Sequence, residues 1–423
     1  MKVIILLTFL FAVFPEIMAQ KPIANMDESN VTEYRIPDLL RTQKGRKIGN
    51  IKQWEKIRRP EILKLFQEEV YGKVPGKLTT SDVIVYETEG EALAGFAVRK
   101  QIDLVFRRAG KVKTVGVLIY LPKSNGKVPV FLAYNFLGNH TVSRDPNIRL
   151  TDSWVPDNPS LGIIQNQITE QSRGVADEQW PLEMILKASY GVVTAYYGDI
   201  DPDKNDLKDG IQSLFYHDGQ TGPLPDEWGS IAAWAWGLSR IMDYLETDSQ
   251  IDAKKVIVLG HSRLGKTALW AAATDQRFAG CISNDSGCMG AALSRRKFGE
   301  NVAIINTNFP HWFDTNFKKY NGCEEKMPVD QQMLLALIAP RPLYVASATE
   351  DLWSDPKGEY LSARLASGAY QLYGLQGLQS DEMPEPDNPV LGIIGYHIRT
   401  GKHDITPFDW EQYIRFADRY LGK

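Results

Sequence analysis

Cysteine is scarce in this chain, with three residues among 423. They are too few for a disulfide-built scaffold, and their spacing lacks the CxxC pairs of a zinc site. Histidine numbers only six. No His-x-x-x-His or comparable ligand pair appears, so neither a metal-dependent hydrolase nor a bound metal or cofactor is expected. Charge of one sign is not in excess. Lys and Arg total 48 against 52 Asp and Glu, a net charge of −4. A mildly acidic chain without basic clusters argues against nucleic acid as a partner. The apolar run at residues 3–14 falls short of the roughly 20 residues that cross a bilayer, so no integral membrane span is expected. Internal repeats and low-complexity tracts are absent as well.

That short run has another use. Met1-Lys2, the apolar stretch and the small-residue exit Ile17-Met18-Ala19 describe a cleavable secretory leader over residues 1–19. Secreted or periplasmic placement follows, with cleavage near Ala19-Gln20. The remaining 20–423 hold enough apolar residues for one large catalytic domain with insertions, expected as a monomer.

Helical spacing of Trp54, Ile57, Ile62, Leu65, Phe66 and Val70 predicts a helix over 51–71, within an N-terminal extension at about 20–80. Strand patterns follow at 83–86, 97–106, 114–121 and 128–134. Strands then alternate with helices: strands at 190–196, 256–259, 281–284 and 343–348, helices at 228–245, 263–273 and 410–420. Such alternation implies an α/β fold, a mostly parallel sheet covered on both faces. Long stretches near 135–181 and 295–330 read as insertions, and loops of that length are usually functional. Cys288 and Cys323 flank the Arg295–Tyr320 part of the second. Export permits oxidation, so a disulfide between them is expected, with Cys281 left buried in its strand.

The most informative segment is Val256-Ile257-Val258-Leu259-Gly260-His261-Ser262-Arg263-Leu264-Gly265-Lys266. A buried strand runs into glycine, serine and a helix, the setting of a nucleophile elbow. The match to G-x-S-x-G is imperfect, because the second glycine comes one residue late. A helix N-cap is the plainer alternative for Ser262. A serine nucleophile needs a base and an orienting acid, in the chain order Ser, acid, His for this fold. His403, in a glycine-containing loop before the last helix, is the candidate base. His397 lies in a more apolar run and is expected to be packed; His261 and His311 are weaker rivals. Asp351 follows the second strand past the nucleophile and Asp285 the first. Either could hold the imidazole tautomer, and Asp351 is the first choice.

Gly260-His261-Ser262-Arg263-Leu264-Gly265-Lys266 resembles the G-x-S-R-x-G-K signature of glucuronoyl esterases, carbohydrate esterase family 15. The similarity extends through 228–243, 284–287, 299–301, 339–353 and 401–410, most of the second half of the chain. The resemblance implies the α/β-hydrolase fold and hydrolysis of esters joining 4-O-methyl-glucuronate of glucuronoxylan to lignin alcohols. It implies an acyl-enzyme on Ser262, Arg263 at the oxyanion, and Lys266, Glu300 and Trp353 as sugar-binding residues. Two departures stand out. Asp285 is shorter than the Glu frequent there, and Gln332 replaces a His, which would alter a peripheral substrate contact. An acetyl-xylan esterase of the same fold, or a catalytically dead carbohydrate-binding relative, are the alternatives.

Overall fold

Eleven strands and nine helices organise residues 22–422, which the computed structural model describes; the leader expected at 1–19 lies outside them. In chain order the strands are β1 Asp82–Ala92, β2 Ala97–Arg108, β3 Lys111–Pro122, β4 Val128–Asn135, β5 Ile163–Ile164, β6 Gln167–Ile168, β7 Gly191–Tyr196, β8 Ile251–His261, β9 Gly280–Asn284, β10 Leu343–Ala348 and β11 Ile394–Arg399. Nine of them form one sheet in the order β1-β2-β3-β7-β4-β8-β9-β10-β11. The β1–β2, β2–β3 and β3–β7 pairs are antiparallel, and every pair from β7 to β11 is parallel. β5 and β6 make a small separate hairpin.

The helices are α1 Ile51–Gln53, α2 Arg59–Glu69, α3 Leu182–Lys187, α4 Ser230–Leu245, α5 Arg263–Thr274, α6 Val302–Asn308, α7 Gln331–Ala336, α8 Pro356–Gln371 and α9 Pro407–Leu421. Residues in β4 and β8 alternate between two cores, as a pleated strand requires. Val130, Leu132, Val256 and Val258 pack on the side of α4, α5, α7 and α8. Phe131, Ala133, Ile257 and Leu259 pack on the side of α3 and α9. Both faces are therefore apolar, and the parallel strands read as nearly continuous hydrophobic runs. Among the described residues no helix is long and apolar enough to cross a membrane.

Several expectations need correction. Within the described part of the 20–80 extension, helix is confined to a single 3-10 turn at Glu28–Asn30 and to Ile51–Glu69, the latter through a wider turn at Trp54–Arg58. Before it the chain runs irregularly across the loop that follows Lys297. Gly299 N–H donates to Asn25 O at 2.7 Å, and Glu28 pairs with Arg296 and Lys357. Cys288 and Cys323 are not joined. All three thiols are free, and Cys288 is buried in the main core, whereas Cys323 is partly exposed at a turn.

Candidate active site

Four loops at the carboxyl ends of neighbouring strands bring the candidate residues together, the crevice where open α/β sheets bind ligands. Ser262 follows β8, Asp285 follows β9, Asp351 lies just past β10 and His403 just past β11. Ser262 has φ 57° and ψ −129°, strained for a residue with a side chain, at the junction of strand and helix. Its N–H donates to Asn284 O at 2.9 Å, tying the turn to the next strand. A Cβ on Gly260 would sit 1.9 Å from Leu264 O, so only glycine lets α5 fold back this tightly. The late second glycine is explained too. A Cβ on Gly265 would meet Ser286 Cβ at 2.9 Å and Gly260 O at 3.1 Å. As the first residue of α5, Arg263 has a backbone N–H without an intrahelical acceptor.

His403 Nδ1 lies 2.6 Å from an Asp351 oxygen, and its ring packs on that of His261 at 4.5 Å. His261, next to Ser262, therefore faces His403 and shares the site. Its Nδ1 bonds Asn284 Oδ1, and burial together with nearby His403 pushes its pKa down to about 3. Neutral at ordinary pH, it makes an uncharged platform for the base. His397 is packed as expected, between Asp409 at 2.8 Å and the Tyr344 hydroxyl at 2.9 Å.

The two acids differ. Burial pushes the Asp351 carboxyl up, but the hydrogen bond and charge of His403 outweigh it and hold the group below its ordinary value. Asp285 is pushed well above its ordinary value by burial and by the neighbouring carboxyls of Glu359 and Asp351. It faces Arg399 at 3.5 Å and accepts the Asp404 N–H at 3.3 Å. Asp285, Asp351 and His403 offer ligand atoms within 4.8 Å of one another. The Asp351–His403 hydrogen bond and the guanidinium beside Asp285 already use these groups, so the cluster suits an acid–base pair better than a cation.

Behind them lies Glu359 on α8, a third buried carboxyl that sequence reading missed. It accepts the N–H groups of Ser286 and Gly287 at 2.8 and 2.9 Å and the Ser347 hydroxyl at 2.6 Å. Burial pushes its pKa from 4.5 up to about 8. Between those values the folded state holds a proton that the unfolded state has lost, so this group costs stability progressively as pH rises. Glu359→Gln is expected to flatten the fall in melting temperature between about pH 5 and 8. An unchanged slope in a folded variant would show that Glu359 is ionised throughout.

Lys266 and Glu300 form a buried pair at 3.8 Å, each side chain 5% exposed, and Lys266 also donates to Ser286 O at 2.6 Å. Arg295 and Arg296 are engaged elsewhere, with Asp330 and with Asp355 and Glu28. Glu300 N–H donates to Trp353 O at 2.9 Å. That contact requires Gly299, whose Cβ at φ +62° would lie 2.3 Å from the same oxygen. Trp353 is 41% exposed. Gln332 does not reach the cleft: it is buried in α7 and donates to Pro37 O at 2.9 Å.

Arg263 does not pair with a surface acid. It bonds Asp203, whose side chain is 3% exposed, while its guanidinium lies 5.0 Å from the Trp312 ring, 5.5 Å from Phe309 and 5.9 Å from Phe136. Asp203 also takes up His311, at 2.8 Å, which removes that histidine as a rival base. Asp203 follows β7 in Asp199-Ile200-Asp201-Pro202-Asp203, and the strand-to-acid junction was the signal that could have found it.

A mostly parallel sheet with a strained serine between strand and helix, and a histidine–carboxylate pair beside it, makes this an α/β-hydrolase-fold enzyme of the carboxylic ester hydrolase class. Known proteins carry the assignment further. A family model described as glucuronyl esterase, fungi, matches residues 186–374. Carbohydrate esterase MZ0003, from an unknown prokaryotic organism, is 51% identical over 409 residues, 96% of this chain and 94% of that protein. Two solved structures superpose with a TM-score of 0.88. One is a promiscuous CE15 esterase from a marine bacterial metagenome, 52% identical, covering 94% of this chain and 100% of that one. The other is a glucuronoyl esterase from Solibacter usitatus, 47% identical, covering 93% and 100%. The chain belongs to carbohydrate esterase family 15.

Proposed function

We propose that this enzyme hydrolyses esters of the glucuronate carboxyl, such as those linking 4-O-methyl-glucuronate of glucuronoxylan to lignin alcohols, after export directed by residues 1–19. The observation that carries the reading is the Asp351–His403 pair following the strand ends beside the strained Ser262 elbow, with the buried Lys266–Glu300 pair near enough for the charges of Arg263 and His403 to act on Glu300. Ser262 Oγ attacks the ester carbonyl while His403 takes its proton. The oxyanion is met by the Arg263 backbone N–H and guanidinium. Collapse expels the alcohol, which receives the proton from His403, and leaves an acyl-enzyme. Water, deprotonated by His403, then releases the uronic acid. Asp351 orients the imidazole and stabilises its cation; Asp285, between Arg399 and the Asp404 N–H, supports the loop around it. Lys266 and Glu300 bind sugar hydroxyls, and Trp353 offers its exposed ring to the apolar face of the sugar. A 4-O-methyl-glucuronoyl methylesterase of Wolfiporia cocos, 34% identical over 264 residues, supports this substrate class.

The test is selectivity. Lys266→Ala and Glu300→Ala are expected to lower kcat/KM for methyl glucuronate roughly ten- to a hundredfold, because substrate groups lose their buried partners. A small aryl acetate never makes those contacts and should turn over nearly as before. Equal losses on both substrates would mean that the pair supports the fold, and the glucuronate reading would fall. Faster turnover of an acetylated sugar than of the uronate would favour the acetyl esterase instead.

A further inference from the structure

The geometry points to Asp203 as a positioning residue that aims the Arg263 guanidinium at the oxyanion, an inference that rests on the serine-esterase reading above. The carboxylate is saturated. One oxygen accepts Arg263 Nη1 and the Tyr197 hydroxyl, the latter at 2.9 Å. The other accepts His311 Nε2 at 2.8 Å and Trp312 Nε1 at 2.7 Å. Four donors meet about four lone-pair sites. Because the carboxylate only accepts, His311 must carry its proton on Nε2. Burial pushes the Asp203 carboxyl up, but the bond from His311 and the charge of Arg263 outweigh it and keep the group ionised.

This anchoring has a directional consequence. The aromatic rings around Arg263 attract its charge without fixing its rotation, whereas a hydrogen bond to one arm of a rigid planar fork fixes the other donors as well. The fork is not used up. Nη1 is taken by Asp203, but the Arg263 side chain is still 29% exposed, so the guanidinium keeps accessible surface for a developing oxyanion. Asp203 reaches Arg263 from the loop after β7, where Tyr197 also lies, and His311 and Trp312 come from the segment after α6, so the carboxylate is braced from two directions.

The experiment is a double-mutant cycle on both substrates. Asp203→Asn is expected to lower kcat roughly ten- to a hundredfold, somewhat less than loss of an oxyanion donor itself, with KM within about threefold. The loss should be similar on methyl glucuronate and the aryl acetate, since both form an oxyanion; a loss confined to the uronate would make Asp203 a sugar-binding support and overturn the inference. In Arg263→Ala protein the same substitution should change kcat less than about twofold. An unchanged kcat in Asp203→Asn, or an equal loss with and without Arg263, overturns it. Where Asp203→Asn does not fold, Trp312→Phe decides, because it keeps a ring beside Phe309 and removes one N–H. A loss of about threefold or more that needs Arg263 supports the inference; no loss, or an equal loss without Arg263, overturns it. Full kcat in Arg263→Ala would end the role of Arg263, and this inference with it. An inactive Ser262→Ala would still leave the serine reading standing.

Discussion

Ser262→Ala is expected to reduce hydrolysis of methyl glucuronate on the order of ten-thousandfold or more, with melting behaviour close to the parent protein. The substitution deletes one oxygen and leaves the elbow intact. The bond from residue 262 N–H to Asn284 O remains, as does the clearance that Gly260 gives Leu264 O. Alanine meets the same strain at φ 57° as serine does, so the change carries little conformational cost. On the proposed mechanism the nucleophile disappears, and with it the acyl-enzyme. Single-turnover and steady-state rates on the folded variant check this, and near-normal turnover would remove Ser262 from the mechanism.

The second large effect separates the two acids. Asp351→Asn is expected to lower kcat by about a hundred- to ten-thousandfold, because an amide facing His403 Nδ1 favours the wrong tautomer. Asp285→Asn should cost less than about tenfold, since Asp285 does not bond His403 and an amide of similar shape can still accept the Asp404 N–H. Its contacts explain the difference: Asp285 faces Arg399 and the Asp404 N–H, whereas Asp351 holds the base directly. Steady-state kinetics on the two variants rank them, and the reverse order would transfer the orienting role to Asp285.

Strand ends made the site readable. Ser262, Asp285 and Asp351 each follow an apolar run whose length and β-branched content announce a buried strand, and β10 lies where the pattern places it. Two neighbouring elements escaped. α8 carries Gly358, Ser362, Ser367 and Gly368 among small alanines, so no apolar stripe of helical period stands out, although most of its residues are buried. β11 is short and holds Gly395, His397 and Arg399, whose burial depends on partners such as Asp409 rather than on their own polarity. Asp203 left only the faint signal of an acid just past β7, for a related reason. An aspartate beside Pro202 looks like any turn residue, and its partners His311 and Trp312 lie more than a hundred positions away. The Cys288–Cys323 pairing failed because sequence proximity to a loop says nothing about the direction of a side chain, and Cys288 is drawn into the core.

The segment around Asn25 and Glu28 has a practical meaning for anyone trimming this protein. It forms a bridge with Gly299, and through Glu28 it clamps Arg296 and Lys357, the first of them 268 positions away. Gly299 in turn sets the register of Glu300 against Trp353. Residues 25–28 thus behave as a tether on the loop that carries Glu300, although they lie outside the central sheet. Shortening the chain past Glu28 would cut that tether while leaving Ser262, His403 and Asp351 in place, so ester hydrolysis should persist while any preference for methyl glucuronate over a small aryl acetate narrows.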